Sequence, residues 1–570
     1  MFKEHITKIL KKELKLKEII LEVPPDTKLG DFAFACFSLA KELRKNPVEI
    51  AKEFAEKIKP DDYIKEVKAT GPYLNFFVNK AVIAEKTLKD IFKKKDKYGN
   101  SKLGKEKVIV IEFPAPNTNK PLHLGHLRNM CLGVSMANIL ESQGYKVKRV
   151  NLNNDRGIHV CKSMLAYQRW GNNTTPESEG KKSDHFVGDY YVLFANKAKD
   201  DAKLEEEAQE MLRKWEAGDK EVRDLWKKMN TWALGGFEET YKHFGLPQFD
   251  KVYYESETYK EGKGIVMGGV KQGLFHKRDD GAVVVDLSKE GLGEKVLIRA
   301  DGTSVYVTQD LYLALLKHED FKFTKSIYVV ATEQNFHFKV LFTLLKKLSY
   351  KWADGCYHFA YGMVLLPEGR MKSREGTVVD ADDLMLEMED LAKAEVLKRY
   401  KDLEEQKIHD RSRMIGLAAI RFYLLKIDAI KDMTFHPEES ISFEGDTGPY
   451  LQYTHARACS IIEKAKEQKM KPAAKIDFTV LNNPSEIALI NALTDFSKNA
   501  EDACESYRPH IIAQYLLILG RAFNEFYHAC HCLNEENKEI AKARLLLIDC
   551  TRQVIKNGLH LLGIEAPEEM

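Results

Sequence analysis

Two continuous apolar runs in the first third of the chain are separated by one helical pattern. Val108–Phe113 (VIVIEF) and Val147–Leu152 have the composition of parallel strands that are buried on both faces. Between them, a proline-containing loop precedes a helical pattern from Leu124 to Ser142, which Gly144 ends. Strand, loop, helix and strand in this order form a βαβ unit. The pattern therefore predicts a parallel sheet with a nucleotide-type crevice at the ends of its strands.

Changes in composition divide the chain into three predicted domains. Residues 1–98 alternate helical patterns with a strand-like segment, which predicts a small α+β domain. Residues 99–403 contain the βαβ unit and are predicted to form an α/β domain with a Rossmann-type parallel sheet. Polar loops and Glu/Lys-rich helices at about 170–244 are typical of an insertion into this domain. Residues 404–570 are helical nearly throughout, which predicts an all-α helical bundle.

Shorter segments complete the predicted secondary structure. Strands are expected at Tyr73–Val78, Ala282–Leu287, Val296–Arg299, Ser304–Thr308 and Ser326–Ala331. Helices are expected at Phe336–Leu348, Arg411–Ile427, Gly448–Gln468, Pro484–Asp502, Pro509–Leu533 and Glu539–Leu562. The lysine run Lys93–Lys97 is followed by glycine and is interpreted as a linker.

The composition excludes several classes of protein. Of the 570 residues, 31% are charged and 44% are hydrophobic, values that are ordinary for a soluble globular protein. No apolar run approaches the roughly 20 residues that span a bilayer, so no membrane partner is expected. The N-terminus is too rich in Lys and Glu for a signal peptide, which favours a cytoplasmic location. The nine cysteines include no CxxC pair, and no metal site built by the protein alone is expected.

Charge is distributed unevenly along the chain. The net charge is +2, but the first 100 residues hold 22 Lys/Arg against 16 Asp/Glu, and the remainder holds 66 against 70. A basic N-terminal domain is compatible with local contact to a phosphate backbone. On charge alone, a solvated lysine-rich surface is the simpler interpretation.

The first motif that carries chemistry is His123-Leu124-Gly125-His126, at the start of the predicted helix after the first strand. A helix N-terminus offers free N–H donors that suit phosphate. Gly125 leaves room for a flat base to approach the backbone. Two imidazoles one turn apart can donate to phosphate oxygens as charge develops on them. Taken alone, the two histidines could equally be a metal pair or surface residues.

The second motif is a basic loop that follows a predicted strand. Residues 370–376 read RMKSREG, and mobile cations are what a pyrophosphate leaving group needs. A solvated basic turn is the alternative interpretation. Together the two motifs resemble the HIGH and KMSKS signatures of the class I aminoacyl-tRNA synthetases.

The surroundings of these motifs resemble one family of that class, the arginyl-tRNA synthetases. The segments that carry the resemblance are Gly30–Pro47, Ile111–Asn129, Ser304–Leu315, Tyr328–His337, Gly362–Val379, Gly445–Arg457 and Asn557–Met570. The resemblance extends to the last residue, and only the insertion is poorly covered. It implies an enzyme that uses Mg²⁺·ATP to convert L-arginine into arginyl-adenylate, only in the presence of tRNA. The arginyl group then passes to the 3′ end of tRNA(Arg), and the family suggests a monomer.

The resemblance also assigns residues to the ATP side of the reaction. His123 and His126 match the two signature histidines that bind the phosphates, and Gly125 matches the glycine under the adenine. The loop residues that match ATP-binding positions are Met371, Lys372 and Ser373. The usual second lysine of the loop has no clear match here, and Arg374 with Lys372 stands where it would be. The resemblance therefore assigns the pyrophosphate-side charge to Arg374 and to Lys120, which precedes the histidine motif.

Selection of arginine is implied for a second group of residues. A guanidinium is a planar, permanently charged fork that paired carboxylates and a phenol recognise best. Asp310 and Tyr306 match the family's guanidinium-binding pair. The other matches to the family's arginine pocket are Glu112, Asn117, Gln334 and Glu255. Taken singly, Asp310 could instead cap a helix, and Glu112 could be a salt-bridged residue at a strand end.

Contacts with tRNA are implied at both ends of the chain. The first domain resembles the module that grips the D-loop at the tRNA elbow, where Tyr73 would stack on an extruded base and Asn75 would read its edge. The helical C-terminal domain would bind the anticodon, with Tyr453, Arg457 and Met570 as candidates.

Two positions depart from the pattern of the family. Thr70 stands where the family often has Asn, which puts a contact of that residue with tRNA in doubt. Residues 154–157 read NDRG where many members read GDWG, and a local packing variant without loss of activity is expected.

The sequence disfavours two alternatives to an active arginyl enzyme. A class I synthetase for another amino acid is disfavoured, because Glu112, Tyr306 and Asp310 would lie unpaired around an apolar substrate. A non-catalytic tRNA-binding paralogue of the same fold is disfavoured by the intact pair His123 and His126.

Overall fold

The protein divides into two compact units. The structure, a computed structural model, describes residues 2–14, 19–365, 367, 379–400 and 403–570. The first unit comprises Met1–Tyr98, Arg457–Asp495 and Ile518–Val554, and the second comprises Gly99–Ala456, Phe496–Leu517 and Ile555–Met570. No helix in the described ranges is both long and apolar enough to cross a membrane.

The N-terminal part of the first unit is a small α+β fold. Its elements are α1 (Phe2–Leu14), β1 (Phe32–Ala35), α2 (Phe37–Leu43), α3 (Pro47–Lys57), β2 (Ile64–Thr70), β3 (Tyr73–Val78) and α4 (Lys80–Lys94). The strands form an antiparallel sheet in the order β1-β3-β2. Gly71 takes a positive φ of 57° in the tight turn between β2 and β3, a conformation that glycine adopts without strain. The strand predicted at Tyr73–Val78 is confirmed residue for residue.

The linker predicted at Lys93–Lys97 is wrong. Helix α4 continues to Lys94, and Lys95–Lys97 form a 3₁₀ turn. Helix α4 buries one face, on which Ile83, Leu88 and Ile91 lie. The lysines lie on the solvated side of this amphipathic helix, so a charged run did not mark a break in structure.

The second unit contains the predicted parallel sheet. Its elements are β4 (Val108–Glu112), α5 (Leu124–Ser142), β5 (Lys146–Asn153), α6 (Ile158–Trp170), α7 (Ser183–Lys197), α8 (Lys203–Ala217), α9 (Lys220–Phe244), β6 (Lys251–Tyr254), α10 (Glu255–Thr258), α11 (Gly262–Lys271), β7 (His276–Lys277), β8 (Val283–Leu287), β9 (Gly293–Ile298), α12 (Tyr306–Phe321), β10 (Lys325–Ala331), α13 (Asn335–Lys347), β11 (Cys356–Tyr361), β12 (Val364–Leu365), α14 (Ala381–Arg399), α15 (Glu405–Leu425), β13 (Met433–Thr434) and α16 (Pro437–Ser440). The five-stranded sheet has the order β11-β10-β4-β5-β6, and all its neighbours pair in parallel. The predicted α/β class and the βαβ unit β4–α5–β5 are confirmed.

The polar segment at about 170–244 folds into helices with a core of their own. Helices α7, α8 and α9 pack with α6 around a buried cluster that includes Met164, Phe194, Met211, Trp215 and Met229. Helices α8 and α9 are amphipathic, so most of their many Glu and Lys residues lie on the solvent side. The segment is inserted in sequence between β5 and β6, two neighbouring strands of the sheet.

A second, antiparallel sheet of order β7-β8-β9 accounts for part of the remaining strand pattern. The strand predicted at Ser304–Thr308 is wrong. Ser304 makes one isolated bridge to Ile298, and helix α12 begins at Tyr306. The Thr308 hydroxyl donates to the carbonyl of Leu297 at 2.6 Å, while Val307 enters the core, so tertiary contacts override the β-branched composition.

The C-terminal part is helical as predicted. Its long helices are α17 (Gly448–Glu467), α18 (Pro484–Ser506), α19 (His510–Ala529) and α20 (Lys538–Leu561), and each lies within a few residues of its predicted bounds. The compact units divide all four helices between them. The functional division at residues 98 and 403 therefore stays a prediction.

Candidate active site

The histidine motif caps helix α5. His123 is the N-cap residue, and its Nδ1 accepts a hydrogen bond from the backbone N–H of Gly125 at 3.1 Å. The Nδ1 of His126 accepts from the backbone N–H of His123, also at 3.1 Å. The two rings lie 4.0 Å apart between centroids. This reciprocal capping fixes both rings at the helix N-terminus, where the helix dipole favours an anion.

Both histidines are held in the neutral form. Burial, helped by the charge of Lys120, lowers the pKa of His123 to about 3, and burial lowers the pKa of His126 well below its ordinary value. Because each Nδ1 accepts a backbone hydrogen bond, the proton of each neutral ring resides on Nε2. Each ring therefore presents an N–H donor without a positive charge.

Gly125 is required by the ring that precedes it. A Cβ at this position would lie 2.9 Å from Cε1 of His123, closer than such atoms approach in proteins. The signature glycine therefore has a local packing role in addition to the open backbone expected under a base.

A small cavity opens beside the histidine motif. It has a volume of about 170 Å³, and its lining includes Lys120, His123, His185 and Asp380. The chain returns here after the basic loop, because the backbone N–H of Leu124 donates to Val379 and His123 forms a bridge with Asp380. The predicted loop residues Met371, Lys372, Ser373 and Arg374 lie outside the described residues.

Arg128 was not singled out by the sequence, yet it holds the chain that leads into the basic loop. Its side chain is fully buried and donates to the carbonyls of Gly362, Met363, Ala429 and Lys431 at 2.7–3.2 Å. Burial lowers the pKa of its guanidinium to about 10. A lone arginine in an apolar helix gives no motif, so nothing in the sequence pointed to this role.

A larger cavity lies at the carboxyl end of β4. Its volume is about 390 Å³. All six residues predicted to bind arginine line it: Glu112, Asn117, Glu255, Tyr306, Asp310 and Gln334. Five different elements or loops supply them, so the sequence motifs, although up to 222 positions apart (Glu112 to Gln334), converge on one space. Further lining residues that the sequence did not indicate include Asn154, Arg156, Gln309 and His337.

Asp310 and Tyr306 lie one helical turn apart on α12. Oδ2 of Asp310 lies 2.6 Å from Nε2 of His337, which is on α13. Tyr306 is the first residue of its helix and is largely exposed. Asp310 stands in the second turn of α12, so the alternative that it caps a helix is wrong.

Glu112 forms a buried ion pair at the end of β4. Its Oε2 accepts from Nζ of Lys317 at 2.9 Å, and the two side chains are 6% and 0% exposed. The ammonium also lies 3.8 Å from the ring centroid of Tyr328. Glu112 therefore forms the salt bridge that the alternative interpretation expected. The same carboxylate also lines the cavity.

Glu255 is the most perturbed acid of the cavity. Burial raises its pKa to about 7, Arg156 opposes this shift, and Asp310 and Asp155 add to it. With its amide oriented to satisfy its neighbours, Gln309 donates to Glu255 at 2.7 Å and accepts from Arg156 at 3.0 Å. The cavity thus brings three carboxylates to a space that a cation can enter.

Comparisons with known proteins agree over the whole chain. The model of the class I tRNA synthetase (R) catalytic domain matches residues 87–436, that of the arginyl-tRNA synthetase N-terminal domain residues 1–78, and that of the DALR anticodon-binding domain residues 451–570. An arginine–tRNA ligase of Parabacteroides distasonis is 45% identical over 562 residues, which cover 95% of this chain and 94% of that protein. The chain belongs to the arginyl-tRNA synthetase family.

Other relatives support the same membership. An arginine–tRNA ligase of Treponema denticola is 45% identical over 563 residues, with 97% of this chain and 95% of that protein covered. The solved structure of Thermus thermophilus arginyl-tRNA synthetase has a TM-score of 0.82 and 28% identity, and covers 100% of this chain and 99% of that one.

The departure from the family pattern at residues 154–157 is accommodated by packing. Arg156 stands where many members have tryptophan, and its guanidinium lies 4.0 Å from the ring centroid of Tyr259 and 5.4 Å from that of Trp215. It also pairs with Glu216 of α8. Its planar guanidinium packs against the ring of Trp215 in the inserted helix α8 and against the ring of Tyr259, which follows α10.

One cluster of acids and a histidine has the spacing of metal ligands. Among the described residues, Asp184, His185 and Asp382 place ligand atoms within 4.8 Å of one another. Nζ of Lys182 lies 3.1 Å from Asp184 and 2.7 Å from Asp382. Hydrogen bonds to Asp380 and Asp382 also raise the pKa of His185 to about 10. Because two cations already lie against these carboxylates, the cluster does not fit a metal ion, and it ties α7 to the start of α14.

The residues predicted to contact the tRNA elbow differ in exposure. Tyr73 is half-buried at the start of β3 and packs edge-on against the exposed Phe37, with centroids 5.9 Å apart. Asn75 is only 3% exposed within the sheet. The ring pair therefore offers a stacking surface, whereas the edge of Asn75 is covered.

The candidates for anticodon contact lie on α17 and at the C-terminus. Tyr453 is half-buried and packs edge-on against Phe443. Arg457 donates to Oδ1 of Asn524 at 2.8 Å. Met570 is half-buried at the end of the chain. Their roles in binding tRNA stay predictions.

Proposed function

We propose that this chain is an active arginine–tRNA ligase. It joins L-arginine to ATP, forms arginyl-adenylate and pyrophosphate, and transfers the arginyl group to the 3′ ribose hydroxyl of tRNA(Arg). The observation that carries the proposal is the convergence of Glu112, Asn117, Glu255, Tyr306, Asp310 and Gln334 on one cavity in a chain of this family.

Arginine recognition follows from the charges of this cavity. Asp310 and Tyr306 would hold the guanidinium, because a carboxylate and a phenol match its planar donors. Glu255 would add negative charge once it has lost its proton, and Gln334 would complete the hydrogen bonds. Asn117 and Glu112 would hold the amino-acid end, and the ion pair with Lys317 would fix the position of Glu112.

Activation needs charge stabilisation more than covalent chemistry. The arginine carboxylate attacks the α-phosphorus of ATP, and pyrophosphate leaves on the opposite side. The neutral Nε2–H groups of His123 and His126 would donate to phosphate oxygens as negative charge grows there. Lys120 and Arg374 would supply positive charge on the pyrophosphate side. Gly125 would lie under the adenine, and Met371, Lys372 and Ser373 would contribute to binding ATP. Mg²⁺ arrives with ATP as part of the substrate.

Binding of tRNA would involve residues 1–98 at the elbow and residues 404–570 at the anticodon. Tyr73 would stack on an unpaired base, assisted by Phe37, which extends the aromatic surface. We further propose that the protein acts as a monomer in the cytoplasm, and that it activates arginine only in the presence of tRNA.

The test is aminoacylation of total tRNA with each of the twenty amino acids. We expect arginine alone to become attached, and only to arginine-accepting tRNA. A folded protein that binds tRNA but attaches no amino acid would instead indicate the non-catalytic paralogue. His123→Ala/His126→Ala is the matched control, since it should retain tRNA binding and lose attachment.

A further inference from the structure

His337 occupies the carboxylate that arginine is expected to use. Its Nε2 lies 2.6 Å from Oδ2 of Asp310, and both side chains line the 390 Å³ cavity. They come from consecutive helices of the chain, α12 and α13. Burial disfavours a charged imidazole, yet the hydrogen bond and charge of Asp310 outweigh burial and raise the pKa of His337 above its ordinary value.

Two ionisable side chains on neighbouring elements interact with His337. Asp310 faces it from α12, and His358 interacts with it from β11. The charged residues of the two 3₁₀ helices that contact α13 are exposed: Glu333, Lys351 and Asp354. Glu255 of α10 and Arg156 line the same cavity, where Arg156 lowers and Asp310 raises the pKa of Glu255. When His337 is protonated, the negative charge of Asp310 is already balanced.

The remaining acids do not replace Asp310. Glu112 is paired with Lys317, so its charge is balanced as well. Glu255 is close to half protonated at neutral pH, because burial raises its pKa to about 7. An entering guanidinium thus meets a pocket whose charge is largely satisfied.

We propose that His337 is a specificity-determining residue that exchanges its proton for the guanidinium of arginine. This inference rests on the proposed function, in which Asp310 binds the guanidinium. A guanidinium cannot give up its proton near neutral pH, whereas an imidazolium can. On binding, the guanidinium takes over the carboxylate of Asp310, His337 becomes neutral, and one proton passes to solvent.

The exchange would increase discrimination against uncharged analogues. Citrulline has the length of arginine but no charge, so it cannot compensate Asp310 and must compete with a protonated His337. Arginine replaces one cation on Asp310 by another, so it loses less binding free energy than citrulline does. The difference in affinity between arginine and citrulline would therefore depend on His337, and not only on Asp310 and Tyr306.

The experiment is calorimetric titration of the full-length chain with L-arginine between pH 5.5 and 8.5. Buffers of different ionisation enthalpy report the number of protons released. For the wild type, we expect release at acidic pH and an arginine Kd that falls with rising pH, by up to tenfold per pH unit below the pKa of His337. Above that pKa, the contribution of His337 should vanish.

His337→Gln keeps a hydrogen-bond donor for Asp310 but cannot titrate. We expect it to release fewer protons than the wild type, to bind arginine more tightly at pH 6, and to lose part of the discrimination against citrulline. Glu255→Gln isolates the contribution of the second titrating group. This variant should lose only the protons that Glu255 itself releases when arginine binds. If His337→Gln does not fold, as judged by circular dichroism, His337→Asn is measured in its place.

Proton release and a pH slope that are the same in the wild type and in the His337 variant would overturn the exchange. If Asp310→Asn nevertheless abolished arginine binding, the proposed function would stand without it. If Asp310→Asn left arginine affinity unchanged, the guanidinium assignment would fail together with the exchange.

Discussion

Replacement of Lys317 by methionine should destabilise the second unit strongly. Nζ of Lys317 lies 2.9 Å from Glu112, and the two side chains are 0% and 6% exposed. Methionine fills a similar volume but leaves the carboxylate of Glu112 without its cation. Sequence motifs did not point to Lys317, so the prediction tests a role that only the structure indicates.

The magnitude follows from burial. At an effective dielectric constant of 20, two unit charges at this separation attract by about 6 kcal/mol, and desolvation offsets part of that. Removing one partner of a buried pair costs about 3–5 kcal/mol, because the other charge stays buried and uncompensated. We expect the free energy of unfolding to fall by an amount near the lower end of this range, since Glu112 borders the cavity and water can reach it there.

The assay is urea unfolding of the full-length chain without substrates, with Lys346→Met as the matched control. Lys346 pairs with Asp354 on the surface, where the side chains are 57% and 84% exposed. Such a pair contributes about 0–1 kcal/mol. The double variant Lys317→Met/Glu112→Gln should recover at least half of the loss, because no charge is then left buried.

An equal decrease in the free energy of unfolding for Lys317→Met and Lys346→Met would refute the reasoning. A double variant no more stable than Lys317→Met would refute it as well, since the cost would then come from packing and not from an unpaired charge.

Three further substitutions probe the reaction and its partners. Asp310→Asn should raise the KM for arginine about 100-fold in aminoacylation and leave the KM for ATP unchanged, because one charge-assisted contact to the guanidinium is lost. Unchanged arginine kinetics would exclude Asp310 as a guanidinium-binding residue. His126→Ala should lower kcat about 10²–10³-fold with unaltered tRNA affinity, and a folded variant of normal rate would remove His126 from catalysis. Tyr73→Ala should weaken tRNA binding about 5- to 150-fold in a filter assay, through loss of stacking, while Tyr73→Phe binds normally; equal binding by all three proteins would contradict the elbow contact.

The parallel sheet and its first helix could be predicted because local pattern and tertiary role agree there. VIVIEF is apolar because β4 is buried on both faces, and the helix from Leu124 to Ser142 has its cap in the sequence as His123. At Ser304–Thr308 the two disagree. The β-branched residues suit a strand, but Thr308 and Val307 find their partners as part of a helix.

The candidate site was predictable where long motifs carry it. Asn117 and Gln334 lie in such motifs, and the structure places both in the cavity. The partners of the site residues could not be predicted. Lys317 lies outside the long motifs. His337 ends the segment Tyr328–His337, but its contact with Asp310 joins two helices and is not visible in the sequence. Lys317 lies seven residues after Asp310, two turns along α12, but this shared face becomes visible only once the helix is known.

The central claim is tested most directly by amino-acid-dependent ATP–pyrophosphate exchange. The full-length chain is assayed with each of the twenty amino acids, with and without arginine-accepting tRNA. The account predicts exchange with arginine alone, and only when tRNA is present. Exchange with a different amino acid would contradict the pocket assignment. No exchange from a folded protein saturated with tRNA would contradict the proposal that this chain is a catalytically active synthetase.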